Sequence, residues 1–410
     1  MSMHPMLSSL RHHKLTVFLL ILQVALTCAV VCNVVFLVVD RIQQIALPSG
    51  LDEPMLSIIE SQSIDKKQNQ LARHDADLAA LRAIPGVKMA VAADSLPFGD
   101  QESSYGTCAT LEQLEQAAKL RSMQTNGCVQ PAAYAGTPGE LNTLGIHLVA
   151  GRDFRDDEYV DDDKVPAAIL SAELAQKLFP AGNALGNTIY TGERKPIRVV
   201  GIVQTLVRPR LYAFGTNQLT MLFPSKSADS YIFYVLRSAP ADRQRVLKAA
   251  AAKLMQLDPD RILPPEQMQT FEDLRRAYFQ RDRTMVGLLV ASCAGLLFVT
   301  ALGISGLANF WVQQRRRQIG VRRAIGATRS EILRHFLLEN FVIVSAGILV
   351  GVVLAVVLNL LLMKQYEVPR LPWFYLPAGA LVLWSLGQLA VLAPAMRASA
   401  VPPVVATRSA

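Results

Sequence analysis

Four stretches of this chain carry no Asp, Glu, Lys, Arg or His: Leu15–Val39, Met285–Val312, Phe341–Met363 and Trp373–Met396. A bilayer core of about 30 Å is crossed by roughly 20 apolar residues in a helix, and each stretch is long enough. Buried helices of large soluble proteins rarely run this far without a charge, so four transmembrane helices are predicted. The first stretch is longer than the ~7–15 residues of a signal-peptide apolar region, and no small-residue cleavage site follows it. Asp40, Arg41 and Gln43 come next, which fits a retained anchor.

Between the first two stretches the pattern becomes that of a mixed α and β domain. Lys66–Ile84 places Leu71, Leu78 and Leu81 at helical spacing, and Pro85-Gly86 stops it. Val87–Ala92 reads as a short strand, and Leu111–Met123 as a helix. Ser171–Phe179 opens with a capping Ser and has Glu173 in its first turn. Arg198–Val207 and Tyr231–Leu236 are rich in β-branched and aromatic residues and predict strands. Asp242–Leu257 carries Val246, Leu247, Ala250, Leu254 and Leu257 on one face, an amphipathic helix ending near Asp258-Pro259. This domain is long enough to bury its own core, as two subdomains.

The chain of 410 residues is 51% hydrophobic with a net charge of +8, and the location of that charge matters more than its size. Residues 41–283 hold 28 Lys/Arg against 29 Asp/Glu, so the large polar domain is close to neutral. The excess sits in Arg11 and Lys14, in seven arginines between 315 and 334, and in Arg397 and Arg408. With four spans these segments fall on one side, and short basic loops stay in the cytoplasm. The expected order is a cytoplasmic N-terminus (1–14), a first span (15–39) and a periplasmic domain (40–284). A second span (285–312), a cytoplasmic loop (313–334) and a third span (335–363) follow. A short periplasmic loop (364–372), a fourth span (373–396) and a cytoplasmic tail (397–410) complete it. The fold class is therefore membrane α-helical plus an extracytoplasmic α+β domain. An arginine loop tethered between two spans is poorly placed to wrap nucleic acid, so no nucleic-acid partner is expected.

Cys28, Cys32 and Cys293 lie within spans, where a free thiol behaves as a small apolar group. Cys108 and Cys128 are the two in the polar domain, and an oxidising compartment favours their pairing, with unpaired small hydrophobes as the alternative. The acidic run from Asp153 to Asp163 lacks the alternating ligands and central Gly of an EF-hand loop and reads as a solvated loop. The six histidines show no metal-ligand spacing. No G-x-x-x-x-G-K-[ST], H-E-x-x-H or G-x-S-x-G is present. No catalytic, metal or cofactor site is expected, and energy is expected from another polypeptide that binds ATP and Mg²⁺.

In the arginine loop, Ile319, Arg322, Arg323 and Ile325 suit a short amphipathic helix at the membrane surface. Gly326 is placed to end it, and Thr328 or Ser330 to cap the next helix with Glu331 in its first turn. Gly347 and Gly351 form a small-xxx-small pair in the third span, a pattern that allows close helix approach.

The segment Gln318-Ile-Gly-Val-Arg-Arg-Ala-Ile-Gly-Ala-Thr328 resembles the phrase of FtsX-like permease domains in MacB-type ABC transporters. Two further segments agree: Leu144-Gly-Ile-His-Leu-Val-Ala-Gly-Arg-Asp-Phe154 and the ending from Pro394 through Pro402 to Arg408. Gln318 stands where an acidic residue is usual, and Met396 where Arg is common. The resemblance implies a non-enzymatic permease working as a dimer, with an identical copy or a paralogue, on a dimer of ABC ATPases. It assigns Arg316, Ile319, Gly320, Arg322, Arg323, Gly326, Ala327, Thr328 and Glu331 to ATPase coupling. It further implies a bacterial inner-membrane location, a periplasmic adaptor protein and a TolC-like outer-membrane channel, with export of an amphiphilic compound or peptide by mechanical transmission. A lipoprotein-releasing permease and a signalling relay to a periplasmic hydrolase or sensor share the architecture and remain as alternatives.

Overall fold

The computed structural model describes residues 14–65, 69–121, 127–160, 165–192, 194–211, 216–366 and 370–400, with the side chains of residues 14, 317, 323 and 366 excepted. The sequence expectations for the first 13 residues, for Asp161–Asp163, for the loop at 367–369 and for the last ten residues lie outside the described residues. In chain order the elements are α1 (Lys14–Ile45), β1 (Leu56–Gln62), α2 (Gln70–Arg82), β2 (Val87–Ala93), β3 (Ser103–Ser104), α3 (Leu111–Leu120) and β4 (Ala132–Ala135). Next come α4 (Glu140–Leu144), β5 (Leu148–Gly151), β6 (Ala167–Ser171), α5 (Ala172–Leu178), β7 (Thr188–Tyr190), β8 (Pro196–Val203), β9 (Thr220–Phe223) and β10 (Tyr231–Ser238). The chain ends with α6 (Arg243–Leu257), β11 (Met268–Thr270), α7 (Phe271–Tyr278), α8 (Gln280–Gln314), α9 (Arg316–Ala324), α10 (Arg329–Tyr366) and α11 (Tyr375–Ser399).

The chain divides into two compact units, Leu47–Gln280 and the remainder. The α+β unit contains two sheets. The first is antiparallel, with strand order β11-β1-β10-β2. Ile232, Tyr234 and Leu236 alternate along β10 and meet Leu78 and Leu81 of α2 and Val246, Leu247, Ala250 and Leu254 of α6. A period of two on the strand and of 3.6 on the helices therefore buries one shared layer. Within it Arg261 grips both oxygens of Asp77 at 2.8 and 2.9 Å, and the Tyr234 hydroxyl donates to Asp77 at 2.6 Å. The buried carboxylate thus has three donors, which offsets the cost of removing it from water.

The second sheet runs β3-β4-β9-β6-β8-β5, with β7 also paired to β8. It mixes parallel pairs (β4 with β9, β6 with β8) with antiparallel ones. The central strand β6 is buried throughout. Helix α5 follows it directly: Ser171 Oγ accepts from the Leu174 N–H at 3.3 Å and donates to the Gln218 carbonyl. The helix expected over Lys66–Ile84 is described as Gln70–Arg82 and the strand expected over Tyr231–Leu236 as Tyr231–Ser238, and two further elements stop earlier than the sequence expectation. The strand predicted over 198–207 runs Pro196–Val203, because its partner β5 ends and the following backbone bonds elsewhere. Leu206 O accepts from Thr220 Oγ1, and Val207 N–H donates to Ser49 O. Helix α3 stops at Leu120 because Arg121 adopts a left-handed conformation, φ +51°.

In the membrane unit, α1, α8, α10 and α11 are each long and apolar enough to span a bilayer. Glycines set the closest approaches. A Cβ on Gly347 would lie 2.7 Å from Val24 Cβ, and one on Gly351 would lie 2.5 Å from Cys28 Cβ. The small-xxx-small pair is where α1 meets α10. Polar side chains cross between helices as well: Thr27 with Thr300 at 2.8 Å, Asn33 to the Ala355 carbonyl at 3.1 Å, and Asn340 to the Gly387 carbonyl at 2.9 Å. In lipid such bonds bind helices that have no apolar contrast with their surroundings.

Candidate coupling surface

The basic hairpin between α8 and α10 is built from two helix ends and one short helix. The backbone continues from α8 into α9 almost without a break, since Arg315 N–H donates to Trp311 O and Ile319 N–H to Arg315 O. Helix α9 ends in a Schellman turn: the Ala327 N–H reaches back to the Arg322 carbonyl at 3.0 Å, and Gly326 takes φ +105°. A side chain at 326 would strain the turn. Helix α10 then opens with a capping box. The Thr328 hydroxyl accepts from the Glu331 N–H at 3.2 Å, and the Thr328 N–H donates to the Glu331 carboxylate at 2.9 Å. Thr328, rather than Ser330, is the cap.

The hairpin is anchored on its inner side. Ile319 is buried in the cluster that holds Trp311, Ile332 and Phe336, and Gly320 is buried beside it. The guanidinium of Arg315 bonds both oxygens of Glu339, and its central carbon lies 5.9 Å from the Trp311 ring centroid. Neither Arg315 nor Glu339 is singled out by sequence reasoning. The signal that would have found them is an acid just inside a span facing an arginine at the end of the preceding one. Outward, Arg316, Arg322, Thr328 and Glu331 are exposed and Ala327 is half-buried. Val321 and Ile325 are 47% and 82% exposed. Arg323 lies on α9, and its side chain is outside the described residues. Among the described side chains the surface therefore presents exposed arginines and an uncovered apolar tip. Among the described residues no group of His, Cys, Asp and Glu is arranged to hold a metal.

The other singled-out residues lie elsewhere. Cys108 and Cys128 form a disulfide that ties α3 to the second sheet. Gly347 and Gly351 lie within α10 against α1. The acidic run is partly internally paired, with Arg152 bidentate on Glu158.

Four apolar helices long enough to span a bilayer, a two-sheet α+β unit between the first and second of them, and a capped basic hairpin between the second and third make up the described architecture. Family models agree: residues 15–253 match the MacB-like periplasmic core domain and residues 290–403 the FtsX-like permease C-terminal domain. The chain belongs to the family of MacB-like ABC-transporter permeases. It is 24% identical over 338 residues to the uncharacterized ABC transporter permease YknZ of Bacillus subtilis (strain 168), covering 81% of this chain and 78% of that one. It is 31% identical over 233 residues to the macrolide export ATP-binding/permease protein MacB of Bradyrhizobium diazoefficiens, covering 54% of this chain and 34% of MacB. The chain thus matches about a third of that relative's length. Among solved structures, the extracellular domain of YknZ aligns with 50% of this chain and 98% of its own at 16% identity and a TM-score of 0.33. The periplasmic region of MacB from Actinobacillus actinomycetemcomitans aligns with 56% and 94% at 14% identity and a TM-score of 0.35.

Proposed function

We propose that this chain is the non-ATPase half of a MacB-type export machine of a bacterial inner membrane, and that its 313–334 hairpin receives the motion of a separate ATPase subunit. In this reading the α+β unit is periplasmic. A dimer of permeases sits on a dimer of ATPases that carry the ATP and Mg²⁺. A periplasmic adaptor and an outer-membrane channel complete the route for an amphiphilic compound or peptide.

The hairpin carries the reading. Val321 and Ile325, one helical turn apart and 47% and 82% exposed, present neighbouring apolar groups at the tip, the kind of surface a partner covers. Arg322 on the last turn of α9 and Arg316 at its start are both exposed and would steer an acidic partner surface. Behind it, the buried Ile319 and the Arg315–Glu339 pair tie the tip to the ends of α8 and α10. A push on the tip is transmitted to the spans rather than absorbed. MacB is, by name, a macrolide export protein with its ATP-binding part in one polypeptide, which supports export as the process being powered.

The test is co-purification with the cognate ATPase. Arg322→Glu combined with Ile325→Asp is expected to abolish capture of the ATPase and the stimulation of ATP hydrolysis by the permease, while the permease folds normally. Undiminished capture and hydrolysis would remove the hairpin from the mechanism.

A further inference from the structure

The α+β unit contains a cavity of about 540 Å³, within the range of small-molecule sites. It lies where the two sheets are stitched together. Asp94 ends this junction: its N–H donates to the Ala135 carbonyl at 2.9 Å, and its carboxylate accepts from the Ala135 N–H at 3.0 Å and from Ser95 Oγ at 2.9 Å. Asp229, on the turn before β10, lines the same space, its carboxylate accepting from Ser227 Oγ at 3.0 Å.

Among the described residues neither carboxylate forms an ion pair. Burial, against the lowering by the bonds from Ala135 and Ser95 and with a smaller push from the Asp229 charge, raises the Asp94 carboxyl to about 6. Apolar and aromatic groups make up the rest of the wall that matters here. Phe223 is buried and meets the half-exposed ring of Tyr105 edge-on, centroids 6.1 Å apart, and Ile197 lies beside them. Lys226 also lines the cavity. Among the described lining residues two acids stand against one base.

We propose that this cavity is a binding site for a cationic amphiphile: a flat or apolar body against Tyr105, Phe223 and Ile197, a positive group at Asp94 and Asp229, and an oxygen acceptor for Lys226. A desolvated carboxylate without a counter-charge gains most from a ligand cation, since attraction strengthens as water is excluded. The aromatic pair adds stacking and cation–π contact. The site requires neither nucleotide nor a partner protein, so it stands or falls apart from the coupling reading above.

The experiment uses the full chain in phosphatidylcholine nanodiscs without ATPase. The probe is rhodamine 6G, a cationic xanthene bearing an ester, followed by fluorescence anisotropy; anionic fluorescein is the control. Saturable binding of one rhodamine per chain is expected, with none of fluorescein. Asp94→Asn keeps the acceptor that Ala135 uses, and Asp94→Asn with Asp229→Asn is expected to weaken binding at least about tenfold, the scale of a lost charge-assisted contact. Should that pair fail to fold, Asp229→Asn alone, on an exposed turn, is expected to weaken binding severalfold. Gly192 lines the cavity with open space at its Cβ position, and Gly192→Trp is expected to abolish binding. Equal affinity in wild type and the folded Asn variants, equal binding of the two dyes, or no saturable rhodamine binding would each overturn the proposal.

Discussion

Arg315 and Glu339 face each other across the base of the basic hairpin, with one guanidinium nitrogen 2.9 and 3.1 Å from the two carboxylate oxygens. Glu339 is 4% exposed. A buried pair gives little net stability, but removing one member takes two charge-assisted bonds from the other. Arg315→Met is therefore expected to cost roughly 3 kcal/mol, and Arg315→Met with Glu339→Leu distinctly less. Thermal unfolding in detergent reads both. A double variant as unstable as the single one would show that the pair is not the hairpin's anchor.

Helix α1 leaves no room for side chains at its contact with α10. Gly351→Leu is expected to force the two helices apart and to destabilise the membrane unit by about 1–3 kcal/mol or more, the cost of overpacking. Gly295 on α8 has nothing near its Cβ position, and Gly295→Leu is expected to leave the melting temperature unchanged. Equal effects at both positions would contradict the packing described.

The Cys108–Cys128 bridge closes a loop around α3, with a sequence separation of 20. Replacing both cysteines by Ser is expected to destabilise the α+β unit by about 3 kcal/mol. Reductant is expected to lower the melting temperature of the wild type to that of the variant and to leave the variant unmoved.

Glu140 is buried, and one of its carboxyl oxygens has no hydrogen-bond partner among the described residues. Burial first, then the charges of Asp94 and Asp153, raise its carboxyl to about 8. The folded state thus holds a proton that the unfolded chain releases above the ordinary Glu value. The stability this confers is complete below about pH 4 and is lost as pH rises toward 8, at up to about 1.4 kcal/mol per pH unit. His74, held neutral by burial and the Arg73 charge, slopes the other way below its ordinary range. The informative quantity is the difference between wild type and Glu140→Gln. That variant is expected to match wild type near pH 5 and to exceed it near pH 8. Parallel stability curves would show that Glu140 does not titrate in this way.

The four spans, the basic hairpin and the helix punctuation within it were legible in the chain alone, because they depend on residues close in sequence. A run without charges needs no partner to declare itself apolar, and Gly326, Thr328 and Glu331 satisfy one another within a few residues. The amphipathic faces of α2 and α6 were legible for the same reason, as was the proximity of sheet and helix that they imply. Local pattern does not encode which distant groups meet. Nothing in the spacing pairs Arg315 with Glu339, or sets the Cβ of Cys28 against Gly351. Nor does it bring Asp94 from the end of one sheet and Asp229 from a later turn to the walls of one cavity. Those relationships arise only when long-range strand register and helix packing are fixed. The energy that fixes them is the summed burial of both elements, which neither segment's sequence carries alone.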